Sequence, residues 1–111
     1  MSINTSEGPL ASLFRGSAVA KMLDCLVDHR GEELSKQALA KEAGVSWKTV
    51  WQELRRLEEL GLIEYTSTKG ASKLFMLNSG DAAARNLIRL SLSLDPLLHM
   101  LMNIVENEPR K

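Results

Sequence analysis

Apolar residues recur at helical spacing through the first half of the chain. Residues 1–8 are polar and follow no such period, which predicts a flexible N-terminus. Next we predict a short helical turn before Gly16 and a longer helix from a Ser17 N-cap to about Arg30, because apolar side chains recur there three and four positions apart. These apolar residues are Leu10, Leu13 and Phe14 in the turn, and Val19, Met22, Leu23, Leu26 and Val27 in the helix.

Two further helices are predicted close together along the chain. Ser35 is placed to cap the first, which ends at Gly44, and Ser46 is placed to cap the second, which ends at Gly61. The second helix has its apolar residues at the spacing of one buried face, namely Val50, Leu54 and Leu57. Two short helices joined by a turn that contains glycine predict a helix-turn-helix unit.

After Gly61 the pattern changes from helix to strand. Residues 62–67 and 73–77 are short runs rich in residues that favour strands, and residues 68–72 between them contain a glycine. This arrangement predicts a β-hairpin. The predicted fold class is therefore α+β and mainly helical.

Residues 79–111 are predicted to form a C-terminal helical segment. One helix is expected over Ala82–Leu94, and Asp95 with Pro96 is a typical start for another. Apolar residues lie almost all round both helices: Leu87, Ile88, Leu90, Leu92, Leu94, Leu97, Leu98, Met100, Leu101, Met102, Ile104 and Val105. Such a surface favours a two-fold homodimer made through this segment; packing on the helix over residues 17–30 of the same monomer is the alternative.

Composition and charge restrict the classes of function. The 111 residues carry 14 Lys and Arg against 14 Asp and Glu, so the chain is neutral and is not expected to coat nucleic acid by bulk charge. Residues 36–73 hold seven basic and five acidic side chains, an excess of two positive charges. A single cysteine excludes an internal disulfide framework, and we find neither a secretory signal nor an apolar run of membrane-spanning length. We expect a cytoplasmic protein with no membrane contact.

The segment from Leu39 to Ser46, the run from Leu57 to Ile63 and the following hairpin resemble the core of winged helix-turn-helix transcription regulators of the ArsR-like and MarR-like type, found in archaea and bacteria. The resemblance covers roughly residues 13–78. It implies a winged helix-turn-helix DNA-binding domain over residues 9–78, with residues 79–111 as dimerisation helices. It also implies a sequence-specific regulator, expected to be a repressor, that acts on double-stranded DNA as a homodimer.

In that family the second helix of the motif enters the major groove. Placed on this chain, the resemblance implies a recognition helix over residues 46–60 and a wing over residues 66–73 on the DNA backbone or minor groove. The implied DNA-binding residues are Ser46, Trp47, Lys48, Thr49, Trp51, Gln52, Arg55, Arg56, Lys69 and Lys73. Gln52 suits an adenine edge and Lys48 the acceptors of guanine, while hydroxyl groups and helix N-terminal amides suit phosphate.

Trp47 and Trp51 depart from the family pattern, in which small or polar residues are commoner at these positions. They lie one helical turn apart and share a face. Three interpretations stay open: apolar contact with thymine methyl groups or with sugar and backbone, burial of one ring as core, and a docking patch for a protein. The third supports a rival function, in which the winged helix is an interaction module of a transcription or other multi-subunit complex.

Other candidate chemistry is weak. Cys25 and His29 have a spacing that permits metal ligation, with Asp28 beside them, but a buried thiol and a surface histidine are the favoured interpretation. His99 is interpreted as an interface or rim residue. No phosphate-binding loop or catalytic triad is recognisable, and the paired glutamates at 32–33 and 58–59 are predicted to be solvated. We therefore expect no enzyme activity, no metal and no cofactor.

Overall fold

The computed structural model describes residues 8–94. The predicted helix that restarts at Asp95, His99 and most of the predicted flexible N-terminus lie outside the described residues. The elements along the described chain are α1 (Pro9–Leu13), α2 (Ala18–Asp28), α3 (Lys36–Ala43), α4 (Trp47–Glu59), β1 (Ile63–Lys69), β2 (Ser72–Leu77) and α5 (Ala82–Leu94). This order of helices with one hairpin confirms the predicted α+β, mainly helical fold.

The helix boundaries follow local capping chemistry. Ser17, Ser35 and Ser46 each accept a hydrogen bond at the side-chain oxygen from the backbone N–H three residues further on, at 3.1, 3.1 and 3.2 Å. These bonds satisfy amides that the first helical turn leaves without a partner, and they confirm the three predicted N-caps. Gly44 ends α3 in the left-handed conformation, with φ of 71°, which a side chain would disfavour.

The main core joins α2, α3, α4, the hairpin and α5. Its most completely buried side chains include those of Met22, Leu26, Leu39, Val50, Leu54, Phe75 and Leu77. The three apolar residues predicted to face inward from α4 are all buried here. This packing fixes the rotation of α4 about its axis and therefore decides which of its residues face solvent.

The two strands form an antiparallel hairpin. Its register pairs Ile63 with Leu77 and Lys69 with Ser72, with an irregularity between Tyr65 and Ser67. The strands are longer than predicted, because Gly70, with φ of 63°, permits a turn at residues 70–71 in place of the five-residue connection. Leu34 forms a bridge on the far side of β2. Its N–H donates to the carbonyl of Phe75 at 2.7 Å, and its carbonyl accepts from the N–H of Phe75 at 2.9 Å.

The start of α1 is held by a buried carboxylate from α2. Asp24 accepts hydrogen bonds from the backbone N–H groups of Leu10 at 2.9 Å and Ala11 at 2.8 Å. Gly8, the N-cap residue of α1, lies so close to this carboxylate that an added Cβ would be 2.4 Å from the carboxyl carbon. Gly8 falls in the segment predicted to be flexible, yet it is packed tightly here.

α5 belongs partly to the folded body and partly to its surface. Ala84 is fully buried in the main core, and Leu87 and Ile88 pack against it. Leu87 also packs against a second small cluster made by α1 and α2. Leu90 and Leu92, by contrast, remain exposed. None of the helices within residues 8–94 is long and apolar enough to cross a membrane.

Candidate nucleic-acid interface

The face of α4 that points away from the core is polar and exposed. Because Val50, Leu54 and Leu57 are buried, the opposite side of the helix presents Lys48, Gln52 and Arg55 to solvent. Arg56 is also exposed and lies 3.9 Å from Glu53, one helical turn away. The amide and cationic groups of this face can donate hydrogen bonds to base edges or phosphates.

The N-terminus of α4 is organised by Ser46 and Thr49. The Ser46 Oγ accepts from the Thr49 N–H and donates to Thr49 Oγ1 at 2.8 Å. The Ser46 hydroxyl is thereby committed to the cap, while the Thr49 hydroxyl keeps its own proton for donation. The amides of Trp47 and Lys48 have no helical partner, as in every first turn, so this end of α4 can offer N–H groups to an anion.

Both tryptophans of α4 are solvent-exposed. Trp47 and Trp51 expose 46% and 52% of their surface, so the interpretation of either ring as core is wrong. Their ring centres lie 6.5 Å apart in an edge-to-face arrangement. Lys36, the first residue of α3, places its Nζ 4.2 Å from the centre of the Trp51 ring, which is cation–π geometry. Ring packing and the lysine together hold the pair in place on the surface.

An open groove of about 1110 Å³ runs between α4 and the wing, the β1–β2 hairpin. Trp47, Trp51, Gln52 and Arg55 line it from α4, and Tyr65 and Lys73 line it from the wing. Lys36, at the start of α3, also lines this groove. The groove therefore brings together five of the ten predicted site residues.

The remaining five predicted residues lie outside the walls of this groove. Ser46, Lys48 and Thr49 lie at the N-terminal end of α4, and Arg56 lies towards its C-terminal end. Lys69 belongs to the last residue pair before the turn of the wing. Sequence reasoning missed Lys36 and Tyr65 as parts of this surface, because only the folded chain places α3 and β1 beside α4.

The wing is fixed on both of its faces. Tyr65 and Phe75 pack edge to face with ring centres 6.0 Å apart, and the Nζ of Lys73 lies 5.6 Å from the Tyr65 ring. On the irregular part of β1, Thr66 donates a hydrogen bond to Glu33 at 2.6 Å, and Ser67 donates a second, short one. Both bonds lower the pKa of Glu33 below its ordinary value, and the bond from Ser67 has the larger effect. Glu33 is exposed, as predicted for a solvated residue, and its two hydrogen bonds also make it an anchor for the wing.

The Cys25 region has the character of a structural site. Cys25 is buried, and desolvation together with the charges of Glu42 and Asp28 raises its pKa to about 11, so the thiolate form that binds metals is disfavoured. His29 ends α2, and its Nδ1 lies 3.1 Å from Glu32. Within residues 8–94 we find no cluster of three or more His, Cys, Asp or Glu side chains suited to a metal ion.

Comparison with known families agrees with this geometry. Residues 19–71 match the family model described as an HTH domain, a range that runs from α2 to the turn of the wing. The described elements place a helix-turn-helix directly before a two-stranded wing. The chain therefore has a winged helix-turn-helix fold. No curated protein matches it.

Solved structures share this winged-helix fold. A MepR mutant from S. aureus bound to an oligodeoxyribonucleotide is similar with a TM-score of 0.62 and 20% identity, over 95% of this chain and 74% of that chain. ZitR from Lactococcus lactis has a TM-score of 0.57 and 14% identity, over 83% of this chain and 62% of that one. Reduced HlyU from Vibrio cholerae has a TM-score of 0.52 and 22% identity, over 84% and 87%.

Proposed function

We propose that this winged-helix protein is a transcription regulator that binds double-stranded DNA in a sequence-specific way. The observation that carries the proposal is the exposed row of Lys48, Gln52 and Arg55 on α4, beside a wing that bears Lys69 and Lys73. In this mode α4 enters the major groove and the wing contacts the backbone or the minor groove. MepR, which has a similar fold, has been solved in complex with DNA, and this supports DNA as the partner of the chain.

The charge distribution predicts how this binding depends on salt. The chain has no net charge, and its small positive excess lies in residues 36–73. Few phosphate contacts release few counterions, so we expect weak binding to random duplexes and a shallow decrease of affinity with salt. Contacts with base edges then account for a larger share of the specific affinity.

Selection of binding sites from random duplex DNA, followed by measurement of affinity, tests this function. The triple variant Lys48→Ala, Gln52→Ala and Arg55→Ala should bind the selected site at least a hundred-fold more weakly, since each good base contact contributes roughly 1–3 kcal/mol. The matched control changes two exposed arginines of α5, Arg85→Ala and Arg89→Ala, and should keep the affinity. Unchanged affinity in the triple variant would remove the groove-reading role of α4.

We further propose a homodimer that represses by occupying promoter DNA. α1 and α5 pack against each other, and both leave large apolar side chains in solvent: Leu13, Phe14, Leu90 and Leu92. Burial of such residues between two copies is favourable by about 25 cal/mol for each Å² removed from water. A two-fold dimer predicts a palindromic site with half-sites one helical turn apart or a multiple of that distance.

Sedimentation of the full chain tests the dimer. Because Ala84 of α5 belongs to the main core, point variants are a cleaner test than a chain that ends near Asn78. The double variant Leu90→Glu and Leu92→Glu should shift the protein to the monomer. Leu60→Glu, an exposed apolar residue at the end of α4, is the control and should leave the assembly unchanged. A monomeric wild-type protein would contradict the dimer.

A protein-interaction module is the second candidate function, and the exposed tryptophan pair is the observation that favours it. Tryptophans held in place on a surface are typical centres of protein interfaces. The same selection experiment separates the two functions. If no duplex is enriched, and if random DNA is not bound even at low salt, the interaction module becomes the better explanation of this face.

A further inference from the structure

Trp47 and Trp51 have a place on α4 that the polar contacts of the proposed function leave unexplained. Lys48 points directly away from the core and lies outside the groove, whereas the two rings lie on the flank of the helix that, with Gln52 and Arg55, lines the groove to the wing. Neither ring belongs to a core cluster, and about half of each is exposed. Their role is therefore to contact the ligand that binds in the groove.

The rings are held in one orientation before any ligand arrives. Trp47 meets Trp51 edge to face at 6.5 Å, and the Lys36 ammonium lies 4.2 Å from the centre of the Trp51 ring. A side chain that is already ordered loses little rotational freedom on binding, which makes its contacts more effective. The remaining exposed ring surface lines the groove.

The charge of the groove indicates what kind of ligand it faces. Lys36, Arg55 and Lys73 line it with three cationic side chains, against the single carboxylate of Glu58. This surplus of positive charge favours a polyanion, such as a DNA strand, over a protein surface that has few acidic residues. The strand that passes between α4 and the wing then runs alongside both tryptophans.

One apolar group on a DNA strand fits this position. In the major groove, the C5-methyl group of thymine is the base substituent that makes apolar contacts with protein side chains. It projects from the pyrimidine edge nearest its own backbone, so residues on the flank of a recognition helix reach it more readily than residues at the helix centre. Cytosine presents no methyl group there.

We propose that Trp47 and Trp51 recognise thymine methyl groups on the strand that passes between α4 and the wing. This inference rests on the proposed DNA-binding function and adds a specificity determinant to it. Lys48, Gln52 and Arg55 read hydrogen-bonding groups, and the tryptophan pair selects thymine at neighbouring positions. Lys36 is a positioning residue, since it acts by holding the Trp51 ring.

Replacement of thymine by deoxyuridine in the selected duplex is the direct test, because it removes the methyl group and keeps the base pair. Each thymine is replaced singly, on either strand, and the affinity of the full chain is measured. At one or two positions the affinity should fall about fourfold, the factor that corresponds to burial of one methyl-sized group. The other replacements should have little effect.

The variants Trp47→Ala and Trp51→Ala identify which ring reads which methyl group. At the position that the missing ring normally reads, each variant should bind the thymine duplex and the deoxyuridine duplex equally. Trp51→Phe should keep part of the preference for thymine. Leu60→Ala is the control, because Leu60 is an apolar residue of the same helix region, 62% exposed and outside the groove. It should discriminate like the wild type.

The outcomes separate the inference from the function on which it rests. If the wild type binds every deoxyuridine duplex as well as the thymine duplex, the methyl-reading role is wrong while DNA binding stands. The same holds if both alanine variants keep the full discrimination, because another group then reads the methyl. If no duplex is selected at all, the proposed function fails and the inference fails with it.

Discussion

At the junction of α1 and α2 a charged group is buried and hydrogen-bonded, whereas along α4 and the wing large apolar rings are left in contact with solvent. Asp24 has 6% of its surface exposed and bonds two backbone amides, while Trp47 and Trp51 lie half in solvent. Each arrangement reverses the usual placement of its residue type. The buried charge is compensated by partners within the chain, whereas about half of each ring stays in contact with solvent despite the ring pair and Lys36.

This difference separates residues that hold the fold from residues available for binding. Changes at the α1–α2 junction should alter the free energy of unfolding and leave the binding surface intact, because the groove lies elsewhere on the molecule. Changes at Trp47 or Trp51 should do the opposite.

Asp24→Ala should destabilise the protein by about 3–5 kcal/mol, because it leaves the buried amides of Leu10 and Ala11 without a partner and each charge-assisted bond contributes about 1.5–3 kcal/mol. Urea denaturation measures the loss. Asp24→Asn keeps one acceptor oxygen and should lose about half as much. DNA affinity per folded molecule should stay at the wild-type value; a fall would show that the two regions are coupled.

Gly8→Ala should cost about 3 kcal/mol, since its Cβ would lie 2.4 Å from the Asp24 carboxyl carbon, which the helix amides hold in place. Gly80→Ala is the matched control, because the nearest atom to its added Cβ is 3.7 Å away. In the Asp24→Ala background, Gly8→Ala should have a smaller effect on the urea midpoint, because only the contact with the Cβ of residue 24, at 2.8 Å, remains. An undiminished effect there would show that the collision lies with another group.

The features that the sequence predicts correctly are set by neighbouring residues. Serine at 17, 35 and 46 caps a helix because its side chain reaches an amide only three residues away, and Gly44 ends α3 through its own backbone conformation. The inward face of α4 follows from helical spacing alone. Such local rules suffice for the order of the elements and for the residues that α4 exposes.

The features that the sequence does not predict join residues far apart in the chain. Asp24 meets an amide 14 residues away, and Glu33 meets hydroxyl groups 33 and 34 residues away. Neither carboxylate has a distinctive neighbourhood in the sequence, so each resembles an ordinary solvated residue. The orientation of Trp51 depends similarly on Lys36 of another helix. These contacts exist only after the helices and the hairpin pack.

The buried thiol of Cys25 should make the stability of the folded protein depend on pH. Because burial raises its pKa from 9.0 to about 11, the folded state disfavours the thiolate. Its contribution to stability is complete below pH 9 and is lost as the pH rises from 9 to 11, by roughly 2 kcal/mol at the top of that range. Urea unfolding at pH 8 and pH 11 measures how much stability the wild type and Cys25→Ala each lose over this range. Other groups titrate in both proteins, so the extra loss in the wild type is the contribution of Cys25. Parallel losses in the two would contradict it.

Replacement of Glu33 should have the smallest effect, a local loosening of the wing, because this carboxylate is exposed and acts through two hydrogen bonds. Hydrogen bonds from Ser67 and Thr66 lower its pKa, so the carboxylate stabilises the wing at pH values above the ordinary pKa of 4.5 and loses that effect as the pH falls through the lowered value. Glu33→Gln should speed hydrogen exchange of the β1 amides at pH 6, and the difference from the wild type should narrow below pH 4. Glu32→Gln is the control, because Glu32 contacts His29 and not the wing. Equal exchange in all three proteins at pH 6 would mean that β1 is held by its pairing with β2 alone and that Glu33 does not anchor the wing.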